Sequence, residues 1–159
     1  MSINKEFLSQ IKQLEMQEET LQFDHFSNAD ALQLGLLLVE HAKEKNYPIA
    51  IDITKNGHQV FKYAFDGANI HNDMWIARKI NAVNTEQKSS MHLGVILKSE
   101  GLTSESECRF DPKDYAFHGG CFPINVKGTG VIGTITVSGM PQEVDHQIVV
   151  DILRSYLKK

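Results

Sequence analysis

Residues 128–139 read GTGVIGTITVSG, and the choice between two folds turns on them. The first six form G-x-G-x-x-G, the pattern of a dinucleotide-binding loop, in which glycines let the backbone approach a pyrophosphate at a helix N-terminus. That mechanism needs a strand before the glycines and a helix starting within them. CFPINV (121–126) reads as the strand, but TITVSG (134–139) alternates Ile and Val with Thr and Ser, which is again the period of a strand. The acid at roughly the right distance, Asp151, falls inside the final helix and not at the end of a second strand. The segment is therefore two strands turning at Lys127-Gly128-Thr129-Gly130, where glycine supplies conformations that other residues resist. No nucleotide site follows from it.

Outward from there, PIAIDITKNGHQVFKYAFDG (48–67) carries two alternating runs around Asn56-Gly57, a pair suited to a type I′ hairpin turn. Ile3, Phe7, Ile11 and Leu14 predict an amphipathic helix over 3–18 within an N-terminal segment 1–19, and TLQFDHF (20–26) predicts a short strand. Ser27 and Asp30 form a capping-box variant that opens a helix to about Lys45. That helix is apolar on nearly every side, through Leu32, Leu34, Leu36, Leu37, Leu38 and Val39, which predicts burial between layers or against another subunit. A third helix spans 70–87, with Trp75, Ile76, Ile80 and Val83 on one side. Ser89-Ser90 caps a short helix that Gly101 ends, SESE (104–107) reads as solvated loop, and Asp111-Pro112 predicts a single helical turn. Pro141 opens the last helix, whose stripe is Val144, Ile148, Ile152 and Tyr156. The order α-β-α-ββ-α-α-ββ-α lacks the alternation of a doubly wound sheet. It predicts one α+β domain over 1–159, an antiparallel sheet with helices packed on its faces.

Composition narrows the function classes. The chain has 159 residues, 42% hydrophobic and 23% charged, which is the range of folded globular domains. A formal net charge of -4, with no basic run beyond Arg78-Lys79, argues against nucleic acid as a partner. ALQLGLLLV (31–39) is half a membrane span at most, and the polar start lacks a signal peptide, so a cytoplasmic protein away from the membrane is expected. Cys108 and Cys121 are expected as free thiols.

Chemistry concentrates on both sides of the glycines. His118-Gly119-Gly120 sets an imidazole, which changes charge near neutral pH, beside two residues that expose backbone N–H groups; a tight turn explains the same residues. Asp145-His146 lies in the first turn of the last helix, and its side chains diverge by about 100°, so they face different partners. His118, His146 and Asp145 are thus the catalytic candidates. Trp75, Arg78 and Lys79 could form an anion or aromatic-ligand surface, or simply a core Trp beside a solvated basic face. Seven histidines raise the question of a metal, yet none has legible ligand spacing. His118-x-x-Cys121 offers two ligands, and His25 or His71 would have to converge on it; Cys121 could also be a nucleophile or a packing residue.

The run DYAFHGGCFPINVKGTGVIGTITVSGMPQEVDHQIVVDIL (114–153), with DALQLGLLLVEHA, PIAIDITKNGHQVFKYAFDG and MWIARKINAV before it, resembles a branch of the GlcG/HbpS-like superfamily labelled heme-degrading-domain proteins. HGG-x-FPI and SG-x-PQ-x-x-DH carry the resemblance, with Met140 where Leu is expected. It implies a profilin-like α+β domain that forms symmetric homo-oligomers, with relatives that bind heme. It places the motif at His118, Gly119, Gly120, Pro123, Gly130, Gly133, Ser138, Gly139, Asp145 and His146, with Trp75, Arg78 and Lys79 upstream. Three functions stay open: an oligomeric small-ligand binder, of heme or of another planar or anionic molecule, using Trp75, Arg78, Lys79, His118, Gly119, Gly120, Asp145 and His146; a non-enzymatic scaffold; and a His-dependent or metal-dependent enzyme.

Overall fold

The computed structural model describes residues 4–158. They form α1 (Lys5–Thr20), α2 (Asn28–Lys45), β1 (Ala50–Lys55), β2 (His58–Ala64), α3 (Ile70–Glu86), α4 (Ser90–Ser99), a 3-10 helix (Glu105–Cys108), β3 (Cys121–Val126), β4 (Gly130–Ser138) and α5 (Gln142–Leu157). The strands make one antiparallel sheet in the order β2-β1-β4-β3, so the fold is α+β. Both hairpins turn where the sequence places them. Asn56 and Gly57 have φ of 51° and 76°, as a type I′ turn demands, and Gly128 and Gly130 have φ of 77° and 109°. GTGVIG is therefore hairpin, with β4 beginning at its second glycine.

Alternation along the strands separates two faces of different character. Ile51, Ile53, Phe122, Ile124, Ile135 and Val137 join Leu34 and Leu38 of α2 and Val149 and Leu153 of α5 in the main core. The intervening residues point to the face that carries α3, and there Asp52, Thr134, Thr136 and Ser138 are all buried. Burying a carboxylate demands donors, and Thr54 Oγ1 and Gln59 Nε2 each donate to Asp52 at 2.6 Å. This polar face is what allows an ionisable side chain of α3 to lie inward.

Several expectations need correction. TLQFDHF is not a strand: only Phe23 bridges, in parallel to Val126, its N–H donating to Asn125 O at 2.8 Å. The alternation of Leu21 and Phe23 reflects real burial, but the chain turns away toward the Ser27 cap before a ladder can form. SESE is not free loop, because it enters the 3-10 helix and buries Glu105. Asp111-Pro112 opens a hydrogen-bonded turn, with Asp114 and Tyr115 N–H groups donating to Asp111 O, and no helix. Of the two burials expected for α2, enclosure between layers of the chain is not found: Ala31, Leu34, Leu38 and Ala42 are buried, whereas Leu32, Leu36 and Leu37 remain 53%, 52% and 38% exposed. The first helix is observed from Lys5, and Ile3 lies outside the described residues. No helix among the described residues is long and apolar enough to cross a membrane.

Candidate functional site

A chamber of about 270 Å³ opens between α3, the end of β4 and the start of α5, with His118 beside it. Its closed end is made by Lys79, Asp145 and Ser138, and its open end by Trp75 and His118. Lys79 stands three residues after Ile76 and four before Val83, both buried, so the helical period carries it inward. Asp145 stands three and four residues before buried Ile148 and Val149 and is turned inward for the same reason. The side chains of Lys79 and Asp145 are only 4% and 3% exposed, with Nζ and Oδ2 3.7 Å apart. The expectation of a solvated basic face at Arg78-Lys79 is thereby corrected for Lys79.

Two ions this far from water are held weakly by each other. At 3.7 Å the pair lacks a charge-assisted hydrogen bond, and the other contact of Lys79, to Val137 O, is 3.4 Å. Burial therefore outweighs attraction in both groups. It lowers the Lys79 amine below its ordinary value and pushes the Asp145 carboxyl up to about 6, although Lys79 and the Met140 N–H, at 3.0 Å, act the other way.

The two glycines after His118 make room for this arrangement, and the Gly119 N–H is committed within the chain. Gly119 N donates to Gln142 Oε1 at 3.0 Å, and a Cβ at Gly119 would stand 2.3 Å from Gln142 O. Gly120 has φ of +134°, and a Cβ there would lie 2.7 Å from Lys79 Nζ and 2.4 Å from Val137 O. H-G-G thus lets α5 and the Lys79 ammonium approach the loop.

At the mouth, His118 meets Trp75 edge-on with ring centroids 5.1 Å apart, and the Arg78 guanidinium lies 4.5 Å over the Trp75 ring. Arg78 Nε is buried without a hydrogen-bond partner. The His118 side chain is 47% exposed, with Nδ1 4.0 Å from Glu105 Oε1; burial lowers its pKa more than Glu105 raises it, so the ring is neutral at neutral pH. Glu105 also accepts the Phe117 N–H at 2.9 Å and so fixes the loop before His118.

His146 does not join this chamber. It faces α1, with Nε2 2.8 Å from Gln17 Oε1, and burial lowers its pKa to about 4, leaving Nδ1 buried without a partner. The divergence expected for Asp145-His146 is what separates them. Cys121 is fully buried, accepts from Thr136 Oγ1 at 3.1 Å, and has its thiol pushed up to about 12 by burial, which rules against a nucleophilic thiolate. Among the described residues no group of three or more His, Cys, Asp and Glu could hold a metal ion. Cys108 and Cys121 are free thiols.

Sequence reasoning misses Asn72 and Gln142, which also line the chamber, and knows Ser138 only as a motif residue and His71 only as a possible metal ligand. Asn72 Nδ2 donates to Ser138 Oγ at 3.3 Å while its Oδ1 caps α3 by accepting from Asn69 N at 3.0 Å. That capping box, N-I-H-N, is the signal that marks Asn72.

The family model described as haem-degrading protein HbpS-like matches residues 26–154. The chain belongs to the HbpS-like family. A UPF0303 protein of Streptomyces coelicolor is 46% identical to this HbpS-like chain over 147 residues, 92% of it and 93% of the relative. A crystal structure of the Ybr137w protein superposes with a TM-score of 0.85 at 31% identity, covering 99% of this chain and 96% of that one. The PduOC:Heme complex shares the fold, with a TM-score of 0.67 at 20% identity over 82% of this chain and 94% of that one. α1 precedes the matched residues.

Proposed function

We propose that this HbpS-like chain is a small-molecule-binding protein whose site is the chamber at Lys79, Asp145 and His118, and that it acts as a homo-oligomer. The observation that carries the reading is the Lys79–Asp145 pair at the closed end of an open chamber. Ionisable groups buried this deeply are costly in a packed interior and useful in a ligand site. Self-association is supported by the outward Leu32, Leu36 and Leu37 of α2, an apolar patch of the kind that marks contact surfaces.

Heme, bound by PduOC in the complex above, fits these residues only in part. His118 is the residue that would hold heme iron, since its ring is half-exposed with a carboxylate behind Nδ1 and burial lowers its pKa. The chamber itself does not suit a porphyrin. At about 270 Å³ it lies below the roughly 300–1,000 Å³ of pockets that enclose drug-sized ligands, and Lys79, Asp145, Asn72 and Ser138 make its closed end polar. A compact polar ligand is the better match.

Trp75 is the only tryptophan in the chain and lines the chamber, so its fluorescence reads occupancy. A saturable change is expected with small carbonyl compounds or carboxylates, and hemin is expected to give no saturable Soret shift that depends on His118. A saturable Soret shift abolished by His118→Ala would replace the compact ligand with heme. No saturable response to any of these probes would remove the binding reading.

A further inference from the structure

Resting on that reading of the chamber, we propose that Lys79 is an imine-forming amine: its Nζ condenses with the carbonyl carbon of a small aldehyde or 2-oxo acid, and Asp145 supplies the proton that releases water. Lys79 brings an amine nitrogen to the closed end of the chamber, and its side chain is only 4% exposed. Its two polar contacts are long, 3.4 Å to Val137 O and 3.7 Å to Asp145 Oδ2, so the nitrogen is not committed to a strong acceptor. Gly120 lets Nζ take this position, since a Cβ there would stand 2.7 Å from it.

The step balances with groups already in place. The neutral amine attacks the carbonyl carbon through its lone pair, forming the C–N bond, while the carbonyl oxygen gains a proton released from the nitrogen. Asp145 in its acid form then protonates the resulting hydroxyl, the C–O bond breaks, and water leaves. The products are a protonated imine on Nζ, an aspartate at Asp145 and one water. The aspartate beside the cationic imine restores the charge pattern that Lys79 and Asp145 have as an ion pair. Burial supports the starting state, because it lowers the Lys79 amine and raises the Asp145 carboxyl, the two directions that the condensation needs. Ser138 Oγ and Asn72 Nδ2 provide hydrogen-bonding groups for the polar end of the carbonyl compound.

The test is reductive trapping on the full chain. The protein is incubated near neutral pH with pyruvate or with propionaldehyde plus cyanoborohydride, digested, and the modified lysines are mapped by mass spectrometry. Lys79 is expected to be modified several-fold faster than exposed lysines such as Lys43, because burial lowers its amine and the chamber holds the carbonyl compound beside Nζ. Preference for pyruvate identifies a 2-oxo acid and preference for propionaldehyde a neutral aldehyde. The Asp145→Asn variant is expected to trap more slowly while keeping its far-UV circular dichroism. Modification spread over exposed lysines, with Lys79 untouched, overturns the proposal. Trp75 fluorescence in the same samples separates the two readings: a saturable change without a Lys79 adduct leaves binding standing and removes the imine, whereas neither signal removes both.

Discussion

At the scale of single residues, the H-G-G motif illustrates how a functional-looking signature can act by steric permission. Gly120 is required twice, by a φ of +134° and by contacts of 2.4 Å to Val137 O and 2.7 Å to Lys79 Nζ that a Cβ would make. Gly128 also has positive φ, at +77°, but a Cβ there meets nothing within 4 Å. Alanine at the two positions should therefore behave differently. Gly128→Ala bears only the left-handed conformation and should cost about 1–2 kcal/mol. Gly120→Ala adds overpacking to backbone strain and should cost roughly 3 kcal/mol or more. It should also displace Lys79 and blunt any Trp75 fluorescence response to ligand. Urea denaturation of the two variants is the measurement, and equal losses of stability would show that the close approach to Lys79 is not a constraint.

At the scale of elements, local chemistry was most legible where a turn or cap dictates it. Asn56-Gly57, the Ser27–Asp30 capping box and the β3–β4 glycines all sit where their side chains or φ angles demand. The strand expected at 20–26 fails because alternation reports which side chains are buried, while a ladder also needs a neighbour running alongside for several residues. Lys79 was readable and misread: its charge suggests the solvated face, but its spacing to Ile76 and Val83 places it on the buried stripe. Nothing local reveals that the opposing sheet face is polar, since Asp52, Thr134, Thr136 and Ser138 come from two distant strands. α2 shows the reverse case, an apolar excess that the described residues leave exposed. Leu36 is 52% exposed, so Leu36→Glu should leave monomer stability within about 0.5 kcal/mol. If α2 is the contact between copies, light scattering should show the variant at lower mass than the parent protein. An unchanged mass would place the contact elsewhere or remove it.

For the molecule as a whole, the neighbouring pair Asp145-His146 sets two opposing responses to pH from one turn of α5. Burial raises the Asp145 carboxyl from 3.8 to about 6, so the folded chain binds this proton more readily than the unfolded chain, and stability is lost as pH rises through that window. Burial lowers His146 from 6.5 to about 4, so here the unfolded chain holds the proton, and stability is gained as pH rises through nearly the same window. Each slope is bounded by about 1.4 kcal/mol per pH unit for one proton, and their signs cancel. His118, also lowered, adds to the rise but is half-exposed and remains in every variant. Single substitutions should therefore unmask what the parent protein hides. Relative to the parent, Asp145→Asn should gain stability as pH goes from about 4 to 6, because His146 then acts unopposed. His146→Gln, which can still reach Gln17, should lose stability over the same interval. Urea midpoints measured at half-unit steps give the two slopes directly. Curves parallel to the parent in both variants would mean that neither group is displaced as its burial implies, and would remove the raised Asp145 carboxyl on which the proton transfer in the chamber depends.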